Sequence, residues 1–236
     1  MANTLEQIVI LDDAQRFKKL CRGFNQYFPW LLLSMGMMLV IQGGYMQAKA
    51  HFAQFLIQQA WQKTLEDHKP HKPWSWADTH PVAKLEFLPH TVTQDDFGSH
   101  LASHLASQEA LDAQDSERDD SLYVLSGASG RNLAFGPALM LSSSEFDEQG
   151  NTVIAGHRDT HFARLNGVKV GQLINVQSAS GKRRLYRVFA TQVTHESDMS
   201  VAQDSGDKQL TLVTCYPFGT SFAGGPLRFV VKAEPI

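Results

Sequence analysis

Residues Thr211-Leu212-Val213-Thr214-Cys215, followed by Tyr216-Pro217, decide the reading of this chain. β-Branched Thr and Val with Leu between them favour an extended strand, and the proline ends any regular continuation. The stretch therefore predicts a thiol delivered to the end of a strand, placed as a nucleophile would be. A free cysteine, with a pKa of about 8.5, holds little thiolate at neutral pH and needs a base and positive charge close by. Two segments supply them: His157 in VIAGHRDTHF and Arg228 in GGPLRFVV.

Outward from this stretch the signals are mainly short strands, expected at 82–88, 121–125, 138–141, 151–155, 173–177, 184–194, 210–214 and 227–232. Turns such as GASG, GNT and SGK separate many of them. That rhythm is the pattern of a closed or sandwiched β-domain, and a β-barrel is expected. One segment departs from it. Phe97, Leu101, Leu105 and Leu111 recur at helical spacing and lead into an acidic run from Asp112 to Asp120, which predicts a surface helix and a solvated loop.

Upstream, no charged residue lies between Arg22 and Lys49, and the centre of that gap reads WLLLSMGMMLVI. Tyr27, Phe28, Trp30 and Tyr45 bracket it as interfacial aromatics do, and the gap accommodates the roughly 20 helical residues of a membrane span. A transmembrane anchor over residues 27–48 is expected, with Arg16, Lys18, Lys19 and Arg22 holding residues 1–26 in the cytoplasm. A cleaved signal peptide ending near Ala48-Lys49-Ala50 is the rival reading. Residues 49–80 read as an amphipathic stalk, with Phe52, Phe55, Leu56, Ala60 and Leu65 as its apolar positions to about Asp67, then a linker. The three prolines of HKPHKPWSWADTHP break the helix, and its two tryptophans are expected to be packing anchors. The remainder, 81–236, is expected to be the β-barrel domain.

Composition narrows the function. A net charge of −3 without a basic cluster argues against nucleic acid as a partner. The two cysteines, Cys21 and Cys215, fall on opposite sides of the expected span and cannot pair with each other. A lone thiol in an exported domain is at risk of oxidation, which points to a use for it.

His157 follows the apolar strand VIA through Gly156, whose missing side chain lets backbone or ligand approach closely. His161 lies four residues on, but the segment carries neither the glutamate of H-E-x-x-H nor an evident third ligand. No metal is expected, and His161 reads as a neighbour that shapes the site. Asp159 is left without a role. An arginine in that strand could snorkel or pair with an acid, but two glycines and a proline precede Arg228 and its charge holds at any working pH, which favours a donor to an oxyanion. Together these residue types describe acyl transfer through a thioester, with His157 and Cys215 exchanging a proton.

TLVTCYPF, VIAGHRDTHF and PLRFVV resemble, in order and spacing, the cysteine, histidine and arginine segments of sortases. WSWADTHPVAKL and the GASG to LAFGP stretch are similar to the proteobacterial class of that family. The resemblance implies a mainly β fold, an eight-stranded closed barrel with short helices behind an N-terminal transmembrane helix. It also implies a transpeptidase that cleaves an LPxTG-like C-terminal sorting signal between Thr and Gly and passes the acyl chain to an amine. Cys215 would be the nucleophile, His157 the acid and base, and Arg228 the oxyanion and substrate donor. Thr214 matches a groove-lining threonine whose backbone amide assists the oxyanion, and Ala155 and Gly156 are assigned with it to substrate binding. No cofactor is implied. The expected partner is an exported protein bearing the signal, and the expected place is the cytoplasmic membrane, with the catalytic domain in the periplasm. A cysteine endopeptidase using water as acceptor, and a noncatalytic envelope-binding domain with a buried structural thiol, stay open.

Overall fold

The computed structural model describes residues 2–88, 121–204, 206–220, 222 and 224–236, with side chains from residue 28 onward. The expected surface helix and acidic loop at 97–120 lie outside the described residues. Two compact units are present, Met1–Phe52 and Ala53–Ile236.

The described residues of the first unit are all helical. They belong to α1, Ala2–Asp67, so the helix begins well before the expected anchor. Among the described residues one helix is long and apolar enough to cross a membrane, Phe28–Asp67, with mean hydropathy 1.3 and no part of its most apolar window buried against protein. Leu31, Met38, Val40 and Ile41 all face outward, as lipid-facing residues do.

In the second unit the last turns of α1 bury Ala53, Ile57, Ala60, Trp61 and Thr64. Their spacing of three and four places them on one face of the helix. This corrects the expected apolar face of the stalk: Phe52 and Phe55 are exposed, and of the expected positions only Ala60 is fully buried. Ile57 packs with Leu125 and Ala138, the Trp61 ring lies 6.3 Å from Tyr123, and Gln54 donates to the Phe135 carbonyl at 2.6 Å. Trp74 anchors the linker against Phe135 with ring centres 5.1 Å apart. Trp76 touches Trp74 but is 73% exposed, so only one of the two linker tryptophans is an anchor.

Eight strands then form the barrel: β1 Pro81–Phe87, β2 Leu122–Ser126, β3 Ala138–Leu139, β4 Asn151–Ala155, β5 Leu173–Ser178, β6 Arg183–His195, β7 Gln209–Tyr216 and β8 Leu227–Pro235. Around the wall they run β1-β2-β3-β4-β7-β8-β6-β5, and β5 closes onto β1. The β2–β3 and β4–β7 pairs are parallel and the others antiparallel. Closure gives every described strand a neighbour on both sides. Alternate side chains enter the core: Ile174 and Val176 from β5, Tyr186 and Val188 from β6, Leu210 and Leu212 from β7, Val231 and Ala233 from β8. Burying an aliphatic side chain of this kind contributes about 2 kcal/mol. Val213 and Cys215 carry the opposite parity from Leu210 and Leu212, and so face outward.

Candidate functional site

The outer face of the β4–β7–β8 wall carries the residues singled out by their chemistry. On β7, Cys215 stands directly opposite Arg228 of β8. Side chains opposed in this way share a face, with Cβ atoms about 5 Å apart. Arg228 in turn opposes Thr194 of β6. On the other side of β7, Ala155 pairs in parallel with Val213, and the Gly156 amide continues the ladder by donating to the Val213 carbonyl at 3.1 Å. His157 is thus the next residue along β4's path, at the level where β7 presents Cys215. Carrying that register two residues on sets the three in one cross-strand row: His157, Cys215, Arg228. His157 is exposed, and Cys215 and Arg228 are half-buried, so the row is open to solvent. Among the described residues no hydrogen bond joins the three side chains directly, and such bonds commonly tighten only around a bound substrate.

Two residues lock the row's left side. Gly156 is buried against Phe162, and a Cβ there would come within 2.6 Å of the phenyl ring. Glycine is required at that point for the turn to close over the aromatic. Thr214 is 2% exposed and its Oγ1 donates to the Gly156 carbonyl at 2.8 Å. The side chain expected to line a groove is thus turned inward, where it ties β7 to the turn before His157.

Arg228 is held by three acceptors. Nη1 donates to the carbonyls of Gly225 at 2.6 Å and Leu227 at 2.9 Å, and Nη2 meets Glu196 Oε2 at 2.6 Å. Gly225 takes φ +105°, a conformation open to glycine, and that turn aims its carbonyl at the guanidinium. Asp159 does not serve His157. Its carboxylate is engaged by Arg158, Nε to Oδ1 at 2.7 Å and Nη2 to Oδ2 at 2.8 Å, which holds it below the usual carboxylate range. His161 begins a 3-10 turn, His161–Leu165, and its Nδ1 lies 3.3 Å from Thr160 Oγ1. Burial, with His157 and Arg164 nearby, pushes its imidazole below the ordinary range.

A sortase domain family model matches residues 117–236, just over half of the chain and the part that carries the row. The chain belongs to the sortase family. Sortase D of Bacillus subtilis (strain 168) is 30% identical to it over 117 residues, which are 49% of this chain and 58% of that protein. The match thus spans a little over half the length of that relative. Among solved structures, a Clostridium perfringens Sortase D5 transpeptidase is 21% identical with a TM-score of 0.48, covering 76% of this chain and 88% of its own. Sortase A of Listeria monocytogenes is 28% identical with a TM-score of 0.44, covering 49% and 79%.

Two residues of this sortase domain have no counterpart in the sequence reading. Glu196 lies just beyond β6, far from Arg228 in sequence, and reaches it only because β6 and β8 pair. Arg158 follows His157 directly but turns inward, where it is 4% exposed. Its adjacency to His157 was the one available signal.

Proposed function

We propose that this chain is a membrane-anchored cysteine transpeptidase acting on a C-terminal, LPxTG-like sorting signal. Residues 1–26 would lie in the cytoplasm and 27–48 in the bilayer. Residues 49–80 would form the stalk and linker, and 81–236 the catalytic domain on the far side of the membrane, the periplasmic side if the likeness to the proteobacterial class holds. The observation that carries the reading is the cross-strand register Cys215↔Arg228, with His157 two residues beyond the Ala155↔Val213 pair.

In this reading the Cys215 thiolate attacks the threonine carbonyl of the Thr–Gly bond. The carbonyl oxygen gains negative charge as the tetrahedral intermediate forms, and Arg228 donates to it from the adjoining strand together with a backbone amide near Thr214. The imidazolium of His157 gives its proton to the glycine nitrogen, the C–N bond breaks, and the acyl chain stays on sulfur as a thioester. An acceptor amine then attacks the thioester, His157 takes the amine's proton, and Cys215 is released. Ala155 and Gly156 supply wall and backbone on the β4 side of the bound signal.

The half-exposed setting of Cys215 supports a reactive thiol over the buried structural thiol of a noncatalytic domain. Hydrolysis by the same three residues differs only in the second step. Product analysis separates them: full-length protein in detergent is given an LPxTG-like peptide with and without a small primary amine. Cleavage after threonine with an amide product in the amine arm is expected. Free acid alone in both arms makes the protein an endopeptidase, and an intact peptide in both removes the enzyme.

A further inference from the structure

Arg158 is the most heavily engaged side chain near the row, and the proposed chemistry does not use it. Its guanidinium is almost fully enclosed, 4% exposed, and an enclosed cation needs both a counter-charge and acceptors for its protons. Asp159 supplies the charge through two bonds. The remaining bonds go to backbone: Nη1 donates to the Pro217 carbonyl at 2.8 Å, and Nη2 to the carbonyls of Thr220 and Phe222, both at 3.2 Å. All three carbonyls belong to the loop between β7 and β8, the segment that joins the cysteine strand to the arginine strand. One planar fork therefore clasps that loop from the residue next to His157, starting two residues past Cys215. The Phe222 carbonyl is held by this clasp while its side chain is 83% exposed.

We propose that Arg158 is a positioning residue: its fork fastens the β7–β8 loop onto the turn that carries His157, and so preforms the loop wall against which an extended peptide is aligned for attack by Cys215. This rests on the function proposed above. Asp159 acts as the counter-charge that keeps the fork in place, and the β4 turn and the β7–β8 loop then move as one body. Lysine cannot replace the fork, because a single ammonium retains the charge but not the planar set of donors that reaches a carboxylate and three carbonyls together. The field on Cys215 survives that exchange and the alignment of the loop does not.

The test uses full-length protein in detergent carrying Arg158→Lys. Three quantities are read: hydrogen exchange at the amides of Phe218, Gly219 and Phe222, the split of kcat and KM for an LPxTG-like peptide, and alkylation of Cys215 by iodoacetamide. The loop amides are expected to exchange faster, and kcat/KM to fall by about 100-fold, mostly through KM, the scale of a misaligned reactant. Alkylation, which needs no loop wall, proceeds at the wild-type rate. Asp159→Asn is the second variant, because its side chain is 64% exposed and the amide keeps the shape of the carboxylate without its charge. It moves the exchange and the KM in the same direction by about 10-fold, as the charge-assisted part of the clasp weakens. Wild-type exchange and KM in Arg158→Lys overturn the proposal, as they do in Asp159→Asn where the first variant does not fold. A wild-type protein that never acylates defeats the catalytic reading alone, since loop exchange reports the clasp without any turnover.

Discussion

Two guanidinium groups flank the cysteine strand, and they are held in opposite ways. Arg158 is enclosed and bound to a carboxylate and three carbonyls. Arg228 is half-exposed, with two of its contacts made to the turn that precedes it and the third to a carboxylate that is itself half in water. In the proposed mechanism the difference separates two duties. A group that shapes the site is best saturated, because any free donor would cost desolvation without return. A group that meets developing charge must keep a donor that substrate can claim, and an exposed ion pair with Glu196 is a weak hold, about 1 kcal/mol at most.

The strongest way to break this comparison is to remove the donor. Arg228→Ala is expected to lower kcat/KM by about 100- to 1000-fold, the usual loss on removing an oxyanion donor, with an unchanged melting temperature. Turnover at the wild-type rate would take Arg228 out of the chemistry and leave it a surface ion pair. Next in size is the turn that carries His157 and Arg158. Gly156→Ala drives a methyl into the Phe162 ring and is expected to destabilise the domain by about 1–3 kcal/mol, read by denaturant unfolding.

Glu196→Gln sharpens the contrast. It frees Arg228 from its competing carboxylate, so kcat/KM should rise, though by no more than about fivefold, and raising salt in the wild type should reproduce part of the gain. A fall in activity would instead make Glu196 the residue that aims the guanidinium. The smallest effect is with pH. Burial holds the imidazoles of His80 and His161 below their ordinary value of 6.5, so the unfolded chain binds more protons than the folded one on the acid side. The stability they contribute is complete above about pH 6.5 and is lost as pH falls through that value toward the lowered folded ones. The Asp159 carboxylate, held below its ordinary 3.8 by Arg158, keeps its charge through that window. A melting temperature that falls modestly between pH 7.5 and 5.5 is expected, and His161→Gln should flatten the slope.

Much of the barrel was legible in the sequence because its strands combine period-two burial with glycine-marked turns. β4 falls at 151–155 as expected, and β5 and β7 lie within two residues of their expected ends. β3 is shorter than its apolar run suggested, since only Ala138 and Leu139 find partners on both sides. The stalk misled for a physical reason: large apolar residues next to a membrane helix need not face protein. Phe55 is exposed while Ala53, Ile57, Ala60 and Trp61, which share the other face of the helix, are buried. In the site, Cys215 and Arg228 were readable because strand alternation says which face a residue takes. Arg158 and Glu196 were not. Their partners are loop carbonyls and a residue on a distant strand, and nothing in local spacing encodes either contact.

The most direct measurement is the intact mass of the full-length protein after mixing with an LPxTG-like peptide and quenching in acid. The account predicts a mass gain equal to the acyl fragment ending in threonine, mapped to Cys215, absent in Cys215→Ala and strongly reduced in His157→Ala. A gain that persists without Cys215, or no gain in the wild type under any peptide concentration, contradicts it.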